Sequence, residues 1–230
     1  MSILVNVCSY NRLVISRMAL HSLWSGRGER DVVQVYDDHS TEYAPANLAP
    51  FCDNIAQEPT KFSLNALRHL QLTRFLESGH EFLYLSDNDA IHDTRYRAML
   101  LGMYGKYGKA VCLYNSFFHS APALELADLG DALLRKICPG ISVFLDRAMV
   151  ERVLAHVGRR FTYAWDYELS EVLEEGVVTT KTSYVEHYGK GGVHNADYER
   201  DRAQNPCEGL AKLRPVLLRM LEQIEAPARG

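Results

Sequence analysis

The 230-residue chain lacks the marks of a disulfide-stapled, membrane-spanning or disordered protein. Its five cysteines (Cys8, Cys52, Cys112, Cys138 and Cys207) are odd in number, widely spaced and without a C-x-x-C pair. That pattern excludes a disulfide framework and a zinc knuckle, and it reads as reduced thiols in an intracellular, cytoplasmic protein. No apolar run approaches the roughly 18 residues of a membrane span. The opening Ser2-Ile3-Leu4-Val5-Asn6-Val7-Cys8 is too short for a secretion signal and has no basic flank. Repeats and low-complexity tracts are missing. A formal net charge of −4 gives no global attraction to nucleic acid or to an anionic membrane, although a local basic groove is compatible with it.

What is present suits one soluble α/β domain. Hydrophobic residues make up 47% and charged residues 23%, and the length suffices to bury a substantial core. Ile3 to Cys8 is a short apolar run that reads as a buried strand, stopped by Ser9-Tyr10-Asn11-Arg12. A helix is expected from Leu13 to Trp24, ended by Gly26 and Gly28, and a second strand from Asp31 to Tyr36. Ser63 can cap a helix running to Ser78, with Leu64, Leu67, Phe75 and Leu76 at helical spacing. The next strand, Glu81 to Leu85, ends in Ser86-Asp87-Asn88-Asp89. Alternating strands and helices imply right-handed crossovers and a mainly parallel sheet, whose ligands bind at the carboxyl ends of the strands. The clusters at 9–12, 37–41 and 86–89 should therefore share one edge.

The second half is less regular. Lys109 to Tyr114 reads as a strand, and the segment from Asn115 to Pro139 holds Phe117, Phe118, His119 and a Leu-rich, helix-like piece. A strand from Gly140 to Leu145 leads to Asp146, which can cap a helix to Val157. Trp165-Asp166 opens another helix, stopped at Gly176. Val177 to Glu186 reads as one Thr-rich strand leading into His187 and the glycines at 189, 191 and 192. Leu210, Leu213, Leu217, Met220, Leu221 and Ile224 mark an amphipathic C-terminal segment that Pro215 should break or restart. Its apolar face suits packing on the domain or a homodimer, and it has too few basic residues to hold a membrane surface firmly.

Asp87-Asn88-Asp89 carries the most chemistry. In an extended chain the side chains at i and i+2 point the same way, so Asp87 and Asp89 can converge on one hard cation such as Mg²⁺ or Mn²⁺. A solvated turn rich in Asp and Asn is the competing reading.

Four patterns occur in order: Val5-Asn6-Val7-Cys8-Ser9-Tyr10-Asn11-Arg12, Val33-Gln34-Val35-Tyr36-Asp37-Asp38-His39-Ser40-Thr41, Asp87-Asn88-Asp89 and Trp165-Asp166. Together they resemble the motifs of GT-A-fold nucleotide-sugar glycosyltransferases, close to the inverting family 2 type. His39 stands where that family usually has glycine. The resemblance spans residues 3 to 195. It implies a single GT-A (Rossmann-like) α/β domain over 1–195, with a mainly parallel central sheet flanked by helices. Within it, residues 1–108 form a nucleotide-sugar half and 109–195 an acceptor and catalytic half, while 196–230 form a C-terminal helical extension.

The resemblance implies that Tyr10 stacks on the nucleobase and that Asp38 accepts a hydrogen bond from it. Asp87 reaches the ribose or shares the metal, and Asp89 binds Mn²⁺ or Mg²⁺ directly. Asp166 is the general base, with Glu168 as its reserve, and Trp165 is an acceptor platform or core. His187 is a further metal ligand, with His194 as competitor. Apart from the resemblance, the glycines at 189, 191 and 192 permit a mobile lid with which Lys190 would cover the diphosphate. Lys61 and Arg68 are weaker candidates for base or diphosphate contact, each equally readable as solvated on a helix face. Ordinary alternatives exist for the others too: a strand-end aromatic at Tyr10, a turn cap at Asp38, and dipole-favoured acid at a helix start for Asp166.

The implied activity is a metal-dependent, inverting, hexosyltransferase-like transfer from a nucleotide-diphosphate sugar, UDP-linked foremost, to a hydroxyl acceptor. The expected acceptor is a glycan or lipid-linked glycan, with a protein or a modified nucleobase as further options and peripheral membrane contact left open. A retaining transferase and a non-catalytic nucleotide-sugar-binding module remain alternatives. A nucleotidyltransferase would need a Gly-rich basic phosphate loop after the first strand, which Ser9-Tyr10-Asn11-Arg12-Leu13 does not supply.

Overall fold

Three strands end side by side at one edge of the sheet in the computed structural model, which describes residues 1–116, 121–189 and 202–225, with side chains to residue 220. The first half runs β1 (Ile3–Ser9), α1 (Leu13–Gly26), β2 (Val32–Asp37), β3 (Asn54–Gln57), α2 (Leu64–Glu77), β4 (Phe82–Asp87), β5 (Ala90–His92) and α3 (Tyr96–Tyr107). The second half runs β6 (Val111–Cys112), β7 (Glu125–Asp128), β8 (Ala132–Arg135), β9 (Ser142–Asp146), α4 (Arg147–Val157), α5 (Trp165–Val172), β10 (Val177–Thr180), β11 (Val185–His187) and α6 (Glu208–Glu225).

Nine strands form one sheet in the order β3-β2-β1-β4-β9-β6-β10-β8-β7, and β5 and β11 form a separate antiparallel ribbon. Only β9 and β8 run against the other seven strands of the large sheet. The register places Ser9 opposite Asp37 and Cys8 opposite Asp87, so the loops after β1, β2 and β4 share one edge as expected. Residues 3–9 of β1 are all buried, which is why this strand reads as a continuous apolar run rather than an alternating one.

The predicted caps hold. Ser63 Oγ accepts the Ala66 N–H at 3.2 Å, and Asp146 Oδ1 accepts the Met149 N–H at 2.8 Å. All five cysteines are buried and free. Among the described residues no helix is long and apolar enough to cross a membrane.

Three expectations are corrected. The run from Val177 to Glu186 is two strands in two sheets, because Ser183 leaves the large sheet to bond the C-terminal segment: its N–H donates to Asn205 O and its carbonyl accepts from Cys207 N. The helix-like piece after Asn115 is a 3-10 turn at Pro122–Leu124 followed by the β7–β8 hairpin. Phe117, Phe118 and His119 lie outside the described residues. Pro215 sits inside an unbroken α6. Leu210 and Leu217, before and after it, are buried against Ile15, Ala19, Ile91 and Tyr188, and that packing holds the helix across the proline. The extension is therefore docked on α1 and on the small ribbon.

Candidate functional site

The loop after β1 is built from conformations that most residues avoid. Asn11 and Arg12 both adopt left-handed φ angles, 53° and 60°. Hydrogen bonds hold them there: Asn11 N–H donates to Ser40 Oγ at 2.8 Å, and Asn11 Oδ1 accepts from Thr41 N at 2.8 Å. This ties the β1 and β2 loops together and leaves Tyr10 at the sheet edge, with the Lys61 ammonium 3.6 Å from its ring centroid.

The two aspartates after β2 divide their work. Asp37 Oδ1 caps the turn by accepting the Ser40 N–H at 2.8 Å. Asp38 accepts the Phe62 N–H through Oδ1, and its carboxyl is raised by burial against the opposing pull of that bond and of Lys61. His39 adopts φ 61°, so it keeps the left-handed turn for which glycine is the usual choice, and does so as an exposed residue. The substitution leaves the turn intact.

The extended spacing read into Asp87-Asn88-Asp89 gives way to a turn at Asn88–Asp89. The two carboxylates accordingly meet different cations. Asp87 pairs with Arg68, whereas Asp89 Oδ2 accepts from Arg12 Nη1 at 3.0 Å. Asn88 turns inward, its Nδ2 donating to Ser16 Oγ at 2.7 Å and to Asn11 O at 3.2 Å, so the middle residue joins this loop to the β1 loop.

His187 arrives from nearly a hundred residues downstream. The β5–β11 register sets it opposite Ala90, and Tyr188 N–H donates to Asp89 O at 2.8 Å. Its Nε2 then lies 3.2 Å from Asp89 Oδ1. Burial pushes the Asp89 carboxyl up, but His187 and Arg12 outweigh it and hold the group below its ordinary value. An imidazole nitrogen beside a carboxylate oxygen favours Mn²⁺ over Mg²⁺, which prefers oxygen donors throughout. Among the described residues no group of three or more His, Cys, Asp and Glu could hold a metal ion. Among the described residues this leaves the pair of Asp89 and His187, and Asp87 is held by Arg68.

Arg68 is the residue that sequence reading undervalued. It is fully buried, not solvated on a helix face. Its Nη1 donates to Gln71 Oε1 at 2.9 Å and its Nη2 to Ser86 O at 3.2 Å, besides the pair with Asp87, and its guanidinium lies 4.8 Å from the Trp165 ring centroid. The sequence signal available was its place at the fourth residue after the Ser63 cap's first helical position, between Leu67 and Leu72, which both face the core.

Asp166 occupies the first turn of α5. Burial raises its carboxyl, against opposing hydrogen bonds from the Tyr167 and Gly140 N–H groups and the charge of Arg68. Gly140 is required here, because a Cβ would come within 2.8 Å of the Trp165 ring. Trp165 is buried against Phe161 and Arg68, so it is core and not an open platform. Glu168 is also removed from base duty: its Oε1 accepts from Thr162 N, Tyr163 N and Thr162 Oγ1, pinning the loop ahead of α5. A cleft of about 410 Å³ opens between the start of α2 and this loop, lined by Ser63, Asn65, Ala66, Arg160, Phe161 and Thr162. Lys190 and His194 lie outside the described residues.

The fold is similar to that of several solved structures, one of them a mannosyltransferase. The mannosyltransferase PcManGT from Pyrobaculum calidifontis, in complex with GDP-Man and Mn²⁺, matches at TM-score 0.60 and 16% identity over 77% of this chain and 54% of that one. TarS from S. aureus, in complex with UDP-GlcNAc, matches at TM-score 0.60 and 16% identity over 80% of this chain and 58% of that one. A197 from STIV matches at TM-score 0.53 and 12% identity over 88% of this chain and 93% of that one. This chain thus spans little more than half the length of the first two. No protein-family model and no curated protein sequence matches it.

Proposed function

We infer that this chain transfers a sugar, with inversion, from a nucleotide-diphosphate sugar to a hydroxyl acceptor. The observation that carries the reading is the meeting of Asp89 and His187, 3.2 Å apart at the carboxyl edge of the parallel strands and beside Arg12. Two of the solved structures that share this fold hold GDP-Man with Mn²⁺ and UDP-GlcNAc.

In this reading Tyr10 and Lys61 grip the nucleobase, and the second oxygen of Asp38 accepts an N–H from the base edge. Asp87, oriented by Arg68, meets the ribose. Asp89 and His187 would hold Mn²⁺ or Mg²⁺, with diphosphate oxygens and water completing its shell. When bound, the cation neutralises charge on the departing diphosphate. Arg12 adds a fixed positive charge at the same carboxylate.

Asp166 takes the acceptor's proton. A base works best when its pKa is near the operating pH, and burial moves this carboxyl in that direction. The Tyr167 N–H on Oδ1, at 3.1 Å, holds the other oxygen in one orientation. The acceptor, a glycan or lipid-linked glycan, enters along the cleft beside α5. A homodimer would use the exposed Leu213, Val216 and Met220 side of α6, because Leu210 and Leu217 are taken up by the intrachain core.

The test is calorimetry with UDP, GDP, CDP and TDP sugars, with and without Mn²⁺. At least one donor should bind more tightly with Mn²⁺, and Asp89→Ala should abolish that increment. Failure of every donor to bind, or binding indifferent to both metal and Asp89→Ala, overturns the reading. The anomer of the product then separates inversion from retention.

A further inference from the structure

Glu186 and His187 are neighbours in β11, and neighbours in a strand point to opposite faces. His187 faces Asp89. Glu186, with no exposed surface, faces the C-terminal segment. There its Oε1 accepts the Ala203 N–H at 2.9 Å, and its Oε2 accepts from Arg214 Nε at 2.6 Å and from Arg214 Nη2. Arg214 Nη2 also donates to Ala203 O at 2.9 Å, closing the ring. Among the described residues, both oxygens of this buried carboxylate are thus held by groups from beyond residue 202.

The ribbon that carries His187 needs such support. It has two strands and three residue pairs, Val185 with His92, Glu186 with Ile91 and His187 with Ala90. An isolated two-stranded ribbon is marginal in water, so its orientation must come from what packs on it. On the β5 side that is α1, through Ile15, Ala19 and the Ser22 Oγ that accepts the His92 N–H at 2.9 Å. Among the described residues, the β11 side packs on the segment at 202–217, through Glu186 and through Tyr188 with Cys207, Leu210 and Leu217.

We propose that Arg214 is a positioning residue for His187: by clamping Glu186 on the far face of the ribbon, α6 fixes the imidazole against Asp89 and so sets the affinity of this pair for a divalent cation. The C-terminal helix is then part of the donor site without touching the donor. The cation affinity rests on the functional reading above, whereas the clamp on the ribbon does not.

The test compares Arg214→Met, Arg214→Lys and the double variant Glu186→Gln/Arg214→Met in the full chain, at a temperature where circular dichroism shows each folded. Mn²⁺ affinity is measured by calorimetry in the presence of the best-binding nucleoside diphosphate, and backbone amide exchange by mass spectrometry. Removing the group that orients a metal ligand weakens metal binding by about 10- to 100-fold. Arg214→Met should therefore raise the Mn²⁺ Kd by at least about 10-fold, with Arg214→Lys restoring part of the loss. Metal-free nucleotide affinity, which rests on Tyr10 and Asp38, should stay within about 2-fold of the parent's. Exchange should speed up at 185–188, including the Tyr188 amide bonded to Asp89, and not in β1, β2 or β4. If Arg214→Met does not fold, the double variant, which leaves no unpaired charge, must show the same local exchange and weaker Mn²⁺ binding. Parental Mn²⁺ affinity and parental exchange at 185–188 in a folded variant overturn the proposal. If the parent itself binds no Mn²⁺, the metal reading falls, and the exchange at 185–188 alone decides the clamp.

Discussion

Replacing Arg68 by methionine keeps an apolar stem of similar reach and deletes the guanidinium. Three attachments go with it: the pair with Asp87, the bond to Ser86 O and the bond to Gln71. Breaking a buried ion pair from one side costs about 3–5 kcal/mol, because the surviving charge is left without a partner. Asp87 keeps 23% of its side-chain surface exposed, so water recovers part of the loss and the low end applies, about 3 kcal/mol. With an unfolding slope of about 3 kcal/mol per molar urea, the midpoint falls by about 1 M. The pH dependence gives the sharper reading. Burial already raises the Asp87 carboxyl, and Arg68 is the chief group opposing that rise. Without Arg68 the carboxyl climbs further above its unfolded value. A raised carboxyl penalises the fold above its pKa and ceases to do so as pH falls through it. The deficit of Arg68→Met against the parent should therefore be about 3 kcal/mol near pH 8 and less than about half of that near pH 5. Urea titrations followed by circular dichroism measure both, and Asp87→Asn in the Arg68→Met background should recover most of the loss. A deficit below about 1 kcal/mol near pH 8, or one that does not shrink in acid, would refute the reasoning.

Two further substitutions probe the site from either side. Asp166→Asn should leave donor affinity unchanged in calorimetry while lowering turnover at least about 100-fold, and it should remove the acid limb of the parent's rate profile, where protonation of a raised carboxyl silences the base. Turnover near the parent's value would place the base elsewhere. His39→Gly relieves a left-handed residue that is exposed and so loses few contacts; thermal or urea unfolding should show a gain of about 0.5–1 kcal/mol with nucleotide affinity retained. A destabilised His39→Gly would mean that the imidazole makes a contact that outweighs its backbone strain.

The legible part of the fold was that governed by local rules. Ser63 and Asp146 cap the helices they precede, and the buried runs of β1, β2 and β4 became neighbouring parallel strands with their polar endings on one edge. The errors arose where distant segments override local preference. The run breaks between Thr180 and Val185, where Asn205 and Cys207 bond the Ser183 backbone, and nothing near Ser183 in sequence announces them. Pro215 fails to break α6 because Leu210 and Leu217 are buried on another element. Arg68 looked like a solvated side chain because the carboxylate that draws it inward is nineteen residues away, on a strand.

Sequence alone determined which sheet edge Tyr10, Asp38 and Asp87 would reach: they stand at the ends of strands whose burial and order are written in their apolar runs. It did so because strand burial and crossover handedness are near-local properties of an alternating α/β chain. Tertiary structure alone decided how those residues are partnered. It turned the Asp-x-Asp segment so that Asp87 meets Arg68 and Asp89 meets Arg12 and His187, and it assigned Glu168 to a loop. Which cation a buried carboxylate meets depends on what arrives from elsewhere in the chain, since a charge without water must find its partner in space rather than in sequence.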